Sequence, residues 1–389
     1  MKILFLTSRF PYPLEKGDKL RSYYLLRELS KYNEVILVSL NETKVKKEYV
    51  QVLEGIVSRV YVFHLSCFSR YLNAFLALFM KRPLQAGYFY NQRVKKSIQQ
   101  IIRQENPDHL FCQLLRTALY VEGMDIPKTI DYQDVLSYGI KRRLAVSKFP
   151  KSMVLKIEYQ RLLQFENQLF DKFDHSLIIT KADRDLMPVA DKNKIHIISN
   201  GVDHEYFDHL FGVQNEKKFD LLFTGNMGYP PNVDCAHFIV QKVMPLVKEK
   251  YPSIKLALAG ASPHPSLQKL SSDNVIVTGW VEDMREMYAS SKIFLAPMQI
   301  GTGLQNKLLE AMSMRMPCIT STLPNLALMA EPNKEILVGN TPEEVAAHII
   351  KLIENSDFAE QIAENGMKYV RSNFSWTAQT EILQKIMES

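Results

Sequence analysis

The sequence has few of the residues that build disulfide or metal-bound frameworks. Its four cysteines, at positions 67, 112, 235 and 318, are far apart, and none belongs to a Cys-x-x-Cys pair. This spacing argues against a disulfide scaffold or a structural zinc site, and it fits a reducing cytoplasm. The nine histidines form no His-Glu-x-x-His motif, which argues against a zinc hydrolase. We therefore expect no metal site and no cofactor.

The sequence also lacks a long hydrophobic run. The most apolar stretch, residues 71–80, has the sequence YLNAFLALFM, whereas a spanning helix needs about 20 apolar residues. It is expected to form either a buried helix or a helix on a membrane surface, and both interpretations are open. The opening residues MKILFLTSRFPYP hold an apolar run too short for a signal peptide, and they predict a first core strand. We expect a cytoplasmic location, with the inner face of the membrane as the alternative.

A strong excess of one charge is absent as well. The 48 Lys and Arg exceed the 42 Asp and Glu by little, for a net charge of +6. This balance argues against a dedicated nucleic-acid binder. Small basic clusters at residues 44–47 and 141–143 are either solvated surface or a site of attraction for an anionic substrate or an acidic lipid.

What the sequence does contain is an alternation of short apolar runs with amphipathic stretches. Strands are predicted at residues 3–7, 35–40, 59–63, 109–112 and 128–130, with a helix over 19–31 after the first, and the pattern restarts with a strand at 219–224. This order is typical of a doubly wound parallel sheet. The 389 residues suit two such domains.

The polar stretch 203–218 divides the pattern into domains. We predict a Rossmann-like acceptor-binding domain over 1–202 and a Rossmann-like nucleotide-sugar-binding domain over 203–375. A helix over 376–389 is expected to pack back on the first domain and close the structure. In open parallel sheets, ligands bind at the carboxyl ends of the strands, so we expect a ligand cleft between the two halves.

The segment most informative about chemistry is IFLAPMQIGTGLQNKLLEAM, residues 293–312. A strand leads into a turn with Gly301 and Gly303 and then into a helix. The amides of Leu304, Gln305 and Asn306 at the helix start can donate to phosphate oxygens, aided by the helix dipole. Lys307 adds a full charge, and Glu310 follows one turn later on the same face. Its carboxylate suits two ribose hydroxyls.

Two other interpretations of this segment are weighed. A dehydrogenase fingerprint would need a third glycine where Asn306 stands, and an acidic residue closing the next strand at 317–320; both are missing. A glycine turn required only for packing would leave Lys307 and Glu310 unexplained.

The same segment resembles the retaining nucleotide-sugar glycosyltransferases of the GT-B fold, in the "group 1" type or glycosyltransferase family four. The family hallmark is Glu, seven residues, Glu, then Ala-Met. Glu310, Ala311 and Met312 match its second half, whereas Thr302 stands where the first Glu is expected. That Glu contacts the donor sugar in the family, so Thr302 affects sugar identity. The Gln-Asn-Lys run before Glu310 resembles a subgroup associated with bacterial exopolysaccharide clusters.

Further motifs extend the resemblance over nearly the whole chain. Asn200-Gly-Val-Asp203 is similar to a family motif just before the second domain, although it can also be a simple turn. Gly225 and Asn226 follow the first strand of the second half, where the family binds its donor. Gly279-Trp-Val-Glu-Asp283 is similar to the loop whose backbone, here at Val281, reads the nucleotide base; for Trp280, core packing is the alternative.

The first half adds two candidate loops. Gly17, with Lys19 and Arg21, resembles the family loop that faces the donor phosphates, and an ordinary surface loop is the alternative. Asp131 and Asp134 follow another strand, where the family has acidic residues near the acceptor. They are expected either to orient or deprotonate an acceptor hydroxyl or to cap the next helix.

The resemblance implies a retaining transfer of sugar from a nucleotide diphosphate to a glycan or lipid-linked acceptor, in polysaccharide or glycoconjugate synthesis and without a metal. The candidate catalytic residues are Asp131, Asp134, Lys307 and Glu310. The alternatives are a nucleotide-sugar epimerase of the same fold and a non-catalytic nucleotide-sugar binding protein. We expect possible partners to include a membrane surface but no nucleic acid.

Overall fold

Two parallel sheets, each in its own unit, organise the chain. The computed structural model describes residues 1–80, 82–145, 147–212, 214–300 and 303–389. One unit comprises residues 1–199 together with 376–389, and the other comprises residues 200–375. Gly301 and Thr302, both predicted to bind the donor, lie outside the described residues.

The first unit is built on a seven-stranded sheet in the order β3-β2-β1-β4-β5-β6-β7, as far as the described residues go. All neighbouring strands run parallel. The strands are β1 (Lys2–Thr7), β2 (Glu34–Asn41), β3 (Arg59–His64), β4 (His109–Gln113), β5 (Lys128–Asp131), β6 (His175–Ile178) and β7 (Ile195–Ile197).

Both faces of this sheet are buried, because alternate residues of a strand point to opposite sides. In β1, Leu4 and Leu6 pack in one core, whereas Ile3 and Phe5 pack in the other. The continuous apolar run that the sequence shows here is what a strand covered on both faces requires.

Helices cover the two faces of this first sheet. They are α1 (Gly17–Leu29), α2 (Lys47–Glu54), α3 (Cys67–Phe79), α4 (Leu84–Phe89), α5 (Gln92–Glu105), α6 (Leu136–Ala145), α7 (Lys151–Lys172) and α8 (Lys181–Leu186), with 3₁₀ turns at Ala118–Tyr120 and Lys192–Lys194.

The second unit repeats the architecture with six strands, in the order β10-β9-β8-β11-β12-β13 within the described residues. These pairs are also parallel. The strands are β8 (Phe219–Thr224), β9 (Leu256–Ala259), β10 (Val275–Gly279), β11 (Ser291–Ala296), β12 (Cys318–Thr320) and β13 (Leu337–Val338).

The helices of the second unit alternate with these strands. They are α9 (Pro230–Phe238), α10 (Met244–Lys248), α11 (Pro265–Gln268), α12 (Met284–Ala289), α13 (Asn306–Ser313), α14 (Thr322–Leu328), α15 (Pro342–Glu354) and α16 (Ser356–Asn373). A π-helical segment, Ile239–Val243, joins α9 to α10.

After α16 the chain returns to the first unit as α17 (Trp376–Met387). The Trp376 ring stacks on Tyr24 of α1 with centroids 5.1 Å apart. The Thr377 hydroxyl donates to Glu28 Oε2 at 3.0 Å. This helix therefore completes the core beside α1.

Helix α3 contains the apolar stretch for which the sequence left two interpretations. Most of its large apolar side chains face solvent: Phe68, Tyr71, Leu72, Phe75, Leu76 and Phe79, followed by Met80. The buried interpretation is therefore wrong. No helix in the described part of the chain combines the length and the apolarity needed to cross a membrane.

Candidate functional site

The centre of the second sheet is the place where this fold binds ligands. Strands β8 and β11 are neighbours, and the chain connections lead away from them in opposite directions. Such a switch point leaves a crevice beyond the carboxyl ends of the two strands. The loop after β8 and the start of α13 meet there.

Gly225, the first residue after β8, brings the backbone close to its neighbours. Its φ is +147°, and a Cβ there would lie 2.8 Å from Asn232 Nδ2 and 3.0 Å from Lys307 Nζ. A Cβ at Gly260, which follows β9, would lie 1.8 Å from the Gly225 carbonyl oxygen. Glycine is required at both positions by this close approach.

A chain of hydrogen bonds links this loop to α13. Asn226 Oδ1 accepts from the Gly228 amide at 3.0 Å, and the Asn226 carbonyl accepts from Asn232 Nδ2 at 2.9 Å. Asn232 Oδ1 in turn accepts from Lys307 Nζ at 2.7 Å. The lysine is thus fixed over the β8 loop.

Lys307 is deep in the unit but retains some accessible surface. Its ammonium lies 4.4 Å from the centre of the Phe223 ring. Burial lowers the pKa of Lys307 to about 8, against a smaller opposing effect of Cys235 and Glu310. A partly desolvated cation without a carboxylate partner in the described structure suits an anionic ligand.

Glu310 is held by a buried tyrosine. Tyr288, which has no accessible surface, donates its hydroxyl to Glu310 Oε2 at 2.7 Å and lies 3.1 Å from Thr224 Oγ1. Burial raises the pKa of Glu310, and the Tyr288 hydrogen bond and the Lys307 charge oppose that rise. The carboxyl group is therefore oriented before any ligand arrives.

The backbone amides at the start of α13 have no hydrogen-bond partner among the residues that the structure describes. Gly303 has a φ of +88°, and Gln305 is extended with no side-chain cap. The first bond within the helix runs from the Leu308 amide to the Gln305 carbonyl at 2.9 Å. Asn200, of the predicted Asn-Gly-Val-Asp motif, donates its Nδ2 to Asn306 Oδ1 at 3.1 Å and steadies this end of the helix. The preceding amides are left available to phosphate oxygens.

Two predicted donor-binding residues, Leu304 and Val281, have side chains that are turned toward the core. The Leu304 side chain packs against the core, as does that of Val281 after β10. Only the backbone of each residue is then suited to a ligand, and both donor-binding roles stay predictions. The neighbouring Trp280 is 68% exposed, so the core-packing interpretation of that residue is wrong.

In the first unit, Arg21 and Asp131 require a correction. Both side chains are completely buried. The Arg21 guanidinium binds the Asp131 carboxylate through two hydrogen bonds, Nε to Oδ2 at 2.7 Å and Nη2 to Oδ1 at 3.2 Å. Neither group has surface for a donor phosphate or an acceptor hydroxyl, so we reassign the pair to joining α1 to the end of β5.

Asp134 differs from Asp131 because its side chain is exposed. The preceding Gln133 has a φ of +64°, and the Asp134 amide donates to the Tyr132 carbonyl at 2.8 Å. This tight three-residue turn is a strained conformation of the kind found at functional sites. Desolvation by the surrounding protein, and then the charge of Asp183, raise the pKa of Asp134 to about 6. This value is within the range of a general base.

Gly17 is the first residue of α1 and is exposed. No atom lies within 4 Å of the position that its Cβ would occupy, so a ligand has room to approach. Its role in donor binding stays a prediction.

Sequence reasoning missed several polar residues at these strand ends. Asn232 carries no motif, and only its position shortly after the β8 glycine signals a role. Arg9 and Arg116 follow β1 and β4, the central strands of the first sheet. Both arginines could have been identified as candidate site residues, because each is a charged residue shortly after a buried strand.

Part of the second unit matches a known protein family. Residues 218–355 match the family model described as "Glycosyl transferases group 1". That segment contains Gly225, Lys307 and Glu310 and most of the second unit.

Two curated proteins and one solved structure resemble the chain more broadly. An "Uncharacterized 44.6 kDa protein in cps region" of Klebsiella pneumoniae is 24% identical over 96% of both chains. The "Capsular polysaccharide biosynthesis glycosyltransferase CapM" of Staphylococcus aureus is 26% identical, over 52% of this chain and 56% of its own. HepE of Anabaena, solved with UDP, superposes with a TM-score of 0.69 at 16% identity over the whole of both chains. The predicted GT-B fold is confirmed.

Proposed function

We infer that this chain, a glycosyltransferase with a "Glycosyl transferases group 1" domain and the GT-B fold, transfers a sugar from a nucleotide diphosphate with retention of configuration. One observation carries the inference. The Lys307 ammonium, fixed by Asn232 above Gly225, stands one helical turn from the oriented Glu310 carboxylate. A cation beside free amides suits a diphosphate, and a carboxylate suits two ribose hydroxyls.

In the proposed reaction, the bond between the anomeric carbon and the nucleoside diphosphate breaks, and negative charge grows on the departing diphosphate. The acceptor oxygen forms its bond to the same face of the anomeric carbon. Lys307 and the amides at the start of α13 stabilise that charge from fixed positions, which is the usual source of most catalysis of this kind. We propose that no metal ion takes part, because these groups supply the positive charge. Full activity in excess EDTA is expected, and a requirement for added Mg²⁺ or Mn²⁺ would contradict this part.

Asp134 is the proposed group on the acceptor side. Its raised pKa lets the carboxylate accept a proton from an acceptor hydroxyl near neutral pH. The acceptor we propose is a glycan or a lipid-linked sugar of a bacterial surface polysaccharide. The name of CapM, which refers to capsular polysaccharide biosynthesis, and the cps region of the Klebsiella relative support this choice.

Thermal stabilisation by UDP, GDP, ADP and their sugar conjugates tests the donor site first. UDP heads the panel because HepE is solved with UDP and with UDP-glucose. A shift with one nucleotide supports the site and names the base, whereas no shift with any would overturn the proposal. Release of free nucleoside diphosphate only in the presence of acceptor would then exclude an epimerase. NMR of the anomeric proton of the product would show whether the configuration at the anomeric carbon is retained.

We also propose that the protein binds the cytoplasmic face of a membrane through α3 and the start of α7. The exposed apolar residues of α3 are joined to α7, where Arg161 donates to the Ala77 carbonyl at 3.2 Å. The start of α7 adds exposed Phe149, Met153, Val154 and Ile157. Residues 135–157 hold six Lys or Arg and no acidic residue. Apolar side chains among basic ones favour an anionic bilayer.

Co-sedimentation with anionic vesicles at low salt tests this surface. Phe75→Ser with Phe79→Ser is expected to lower vesicle binding, and neutral vesicles are expected to bind less. Tyr32→Ser, at an exposed aromatic residue elsewhere in the same unit, is the matched control. Equal binding of both variants to vesicles would count against the membrane proposal while leaving the transferase proposal intact.

A further inference from the structure

A pocket of about 460 Å³ lies in the first unit, apart from the groups described so far. Its polar end is formed by Arg9, Glu42, Gln85 and Arg116. Arg9 follows β1 and Arg116 follows β4, and these two strands are the central neighbours where the first sheet reverses its strand order. The pocket thus occupies the position in the first sheet that the Lys307 crevice occupies in the second.

The charges at this end are unevenly matched. Arg9 pairs with Asp18 at 2.6 Å and approaches Glu42 at 3.7 Å. Glu42 also binds Arg70 at 2.7 Å. Arg116, by contrast, has no carboxylate within ion-pair distance among the residues that the structure describes. Arg116 is therefore a pocket-lining cation with no direct ion pair among the described residues.

The Arg116 guanidinium is only partly satisfied. Its Nη2 donates to Gln85 Oε1 at 3.0 Å, and the group lies 4.9 Å from the centre of the Phe89 ring. Its Nε and Nη1 atoms are buried without a hydrogen-bond partner. Buried donors of a charged group are costly to leave unpaired. Each of these open N–H groups can donate to one oxygen of a phosphate or a carboxylate, because the guanidinium keeps its charge and presents its donors in fixed directions.

The rest of the pocket is apolar. Ala74 and Phe75 of α3 and Leu84, Tyr88 and Phe89 at α4 line it. Phe75 also belongs to the exposed apolar face of α3, since 57% of its surface is accessible. One end of the pocket is therefore cationic, and the other is continuous with an apolar helix surface.

We propose that this Arg116 pocket binds the acceptor, and that the acceptor is an amphiphile. Its phosphate or carboxylate group contacts Arg116, and its apolar chain lies along Phe75 and the α3 surface. The proposal rests on the proposed function and narrows its acceptor to lipid-linked anions.

Binding of defined amphiphiles to the full-length protein tests the pocket. Decyl diphosphate, decanoate, neutral decyl glucoside and inorganic diphosphate are titrated calorimetrically below their critical micelle concentrations, with UDP saturating so that the donor site is occupied. Decyl diphosphate or decanoate should bind at least tenfold more tightly than decyl glucoside, and the better of the two names the anion. Equal affinity for the neutral analogue would overturn the proposal.

Two variants separate the halves of the pocket. Arg116→Gln is expected to weaken binding of the preferred amphiphile by about 10- to 100-fold, the effect of losing hydrogen bonds to a charged group. Phe75→Ser should weaken the same amphiphile while leaving inorganic diphosphate unchanged. Arg103→Gln, at an exposed arginine of α5, is the control and should have no effect. Unchanged affinity in Arg116→Gln would contradict the assignment.

The folded state and the donor site are measured in the same samples. Arg116→Gln loses the hydrogen bond to Gln85 and the contact with Phe89, but it also removes two buried donors that have no partner, so its melting temperature should stay close to that of the wild type. If UDP stabilises the protein normally while Arg116→Gln leaves amphiphile binding unchanged, only this inference fails. If no nucleotide binds while the amphiphile depends on Arg116, the donor proposal fails and the pocket stands as an anionic lipid site.

Discussion

At the scale of single residues, the two carboxylates that the sequence placed near the acceptor have opposite environments. Asp131 is completely buried and paired with Arg21, whereas Asp134 is exposed on a strained turn. Spacing alone could not separate them, because Asp131 ends β5 and Asp134 lies in the turn directly after it. The partner of Asp131 comes from α1, 110 positions away in sequence.

The Arg21–Asp131 pair is expected to act on stability rather than on ligand binding. Removing one partner of a buried ion pair costs about 3–5 kcal/mol, because the other charge is left without compensation. Arg21→Met should therefore lower the free energy of unfolding in urea by that order. Arg103→Gln should change it by less than about 0.5 kcal/mol. A stable Arg21→Met protein that no longer binds nucleotide would restore Arg21 to the donor site.

Glu310 is expected to control nucleotide affinity. Glu310→Gln should weaken binding by about 10- to 100-fold, since hydrogen bonds to a charged group are lost. Tyr288→Phe, which removes only the hydroxyl that orients Glu310, should cost about 2- to 10-fold. Calorimetric titration with the nucleotide identified in the panel measures both. A larger loss in Tyr288→Phe than in Glu310→Gln would show that Glu310 does not touch the ligand.

The pH dependence of kcat/KM should be bell-shaped. Asp134 must be ionised to accept a proton, so activity should fall as the pH drops through about 6. Lys307 must be protonated to bind the diphosphate, so activity should also fall as the pH rises through about 8. Asp134→Asn should lower the rate by about 10²–10⁴-fold.

Lys307→Arg provides the control for the alkaline limb, because arginine keeps its charge throughout this range. That limb should move to higher pH in the variant. A limb that stays near pH 8 would belong to another group.

At the scale of elements, most strands were predicted from the sequence, and so was the segment that forms α13. Buried parallel strands are continuous apolar runs, which makes β1, β2 and β8 easy to recognise. The helical tail from Thr341 onward was predicted and is confirmed by α15, α16 and α17, whereas α5 lay outside the predicted elements. The sequence also did not predict that one face of α3 is exposed, because an apolar helix has the same composition whether protein or lipid covers it. The hydrogen bonds of Asn232 and Asn200 depend on loops that only the folded unit brings together.

The contact between the loops after β8 and β9 gives a prediction at this scale. In Gly260→Ala the added methyl group would meet the Gly225 carbonyl 1.8 Å away, and φ of +143° disfavours a side chain besides. We expect the two loops to separate, which lowers the melting temperature and displaces Gly225 from Lys307. Nucleotide affinity should therefore fall together with stability. Gly123→Ala, also at a positive φ but in open space, is the control and should spare nucleotide binding.

At the scale of the whole molecule, the chain leaves the first unit after residue 199 and returns to it at Trp376. Deletion of residues 376–389 removes the ring stacked on Tyr24 and the hydrogen bond to Glu28. We expect the melting transition of the first unit to shift down and that of the second unit to remain. Calorimetric scanning resolves the two, and an unchanged first transition would contradict this role of α17.

The return of α17 also sets an order of assembly during synthesis. The ribosome releases all of residues 200–375 before it releases the helix that completes the core beside α1. The second unit can therefore reach its native state while the first still exposes the apolar surface that Trp376 and Leu383 later cover. The second unit can therefore be complete before synthesis of α17, whereas the first unit keeps part of its core open to solvent until that helix emerges.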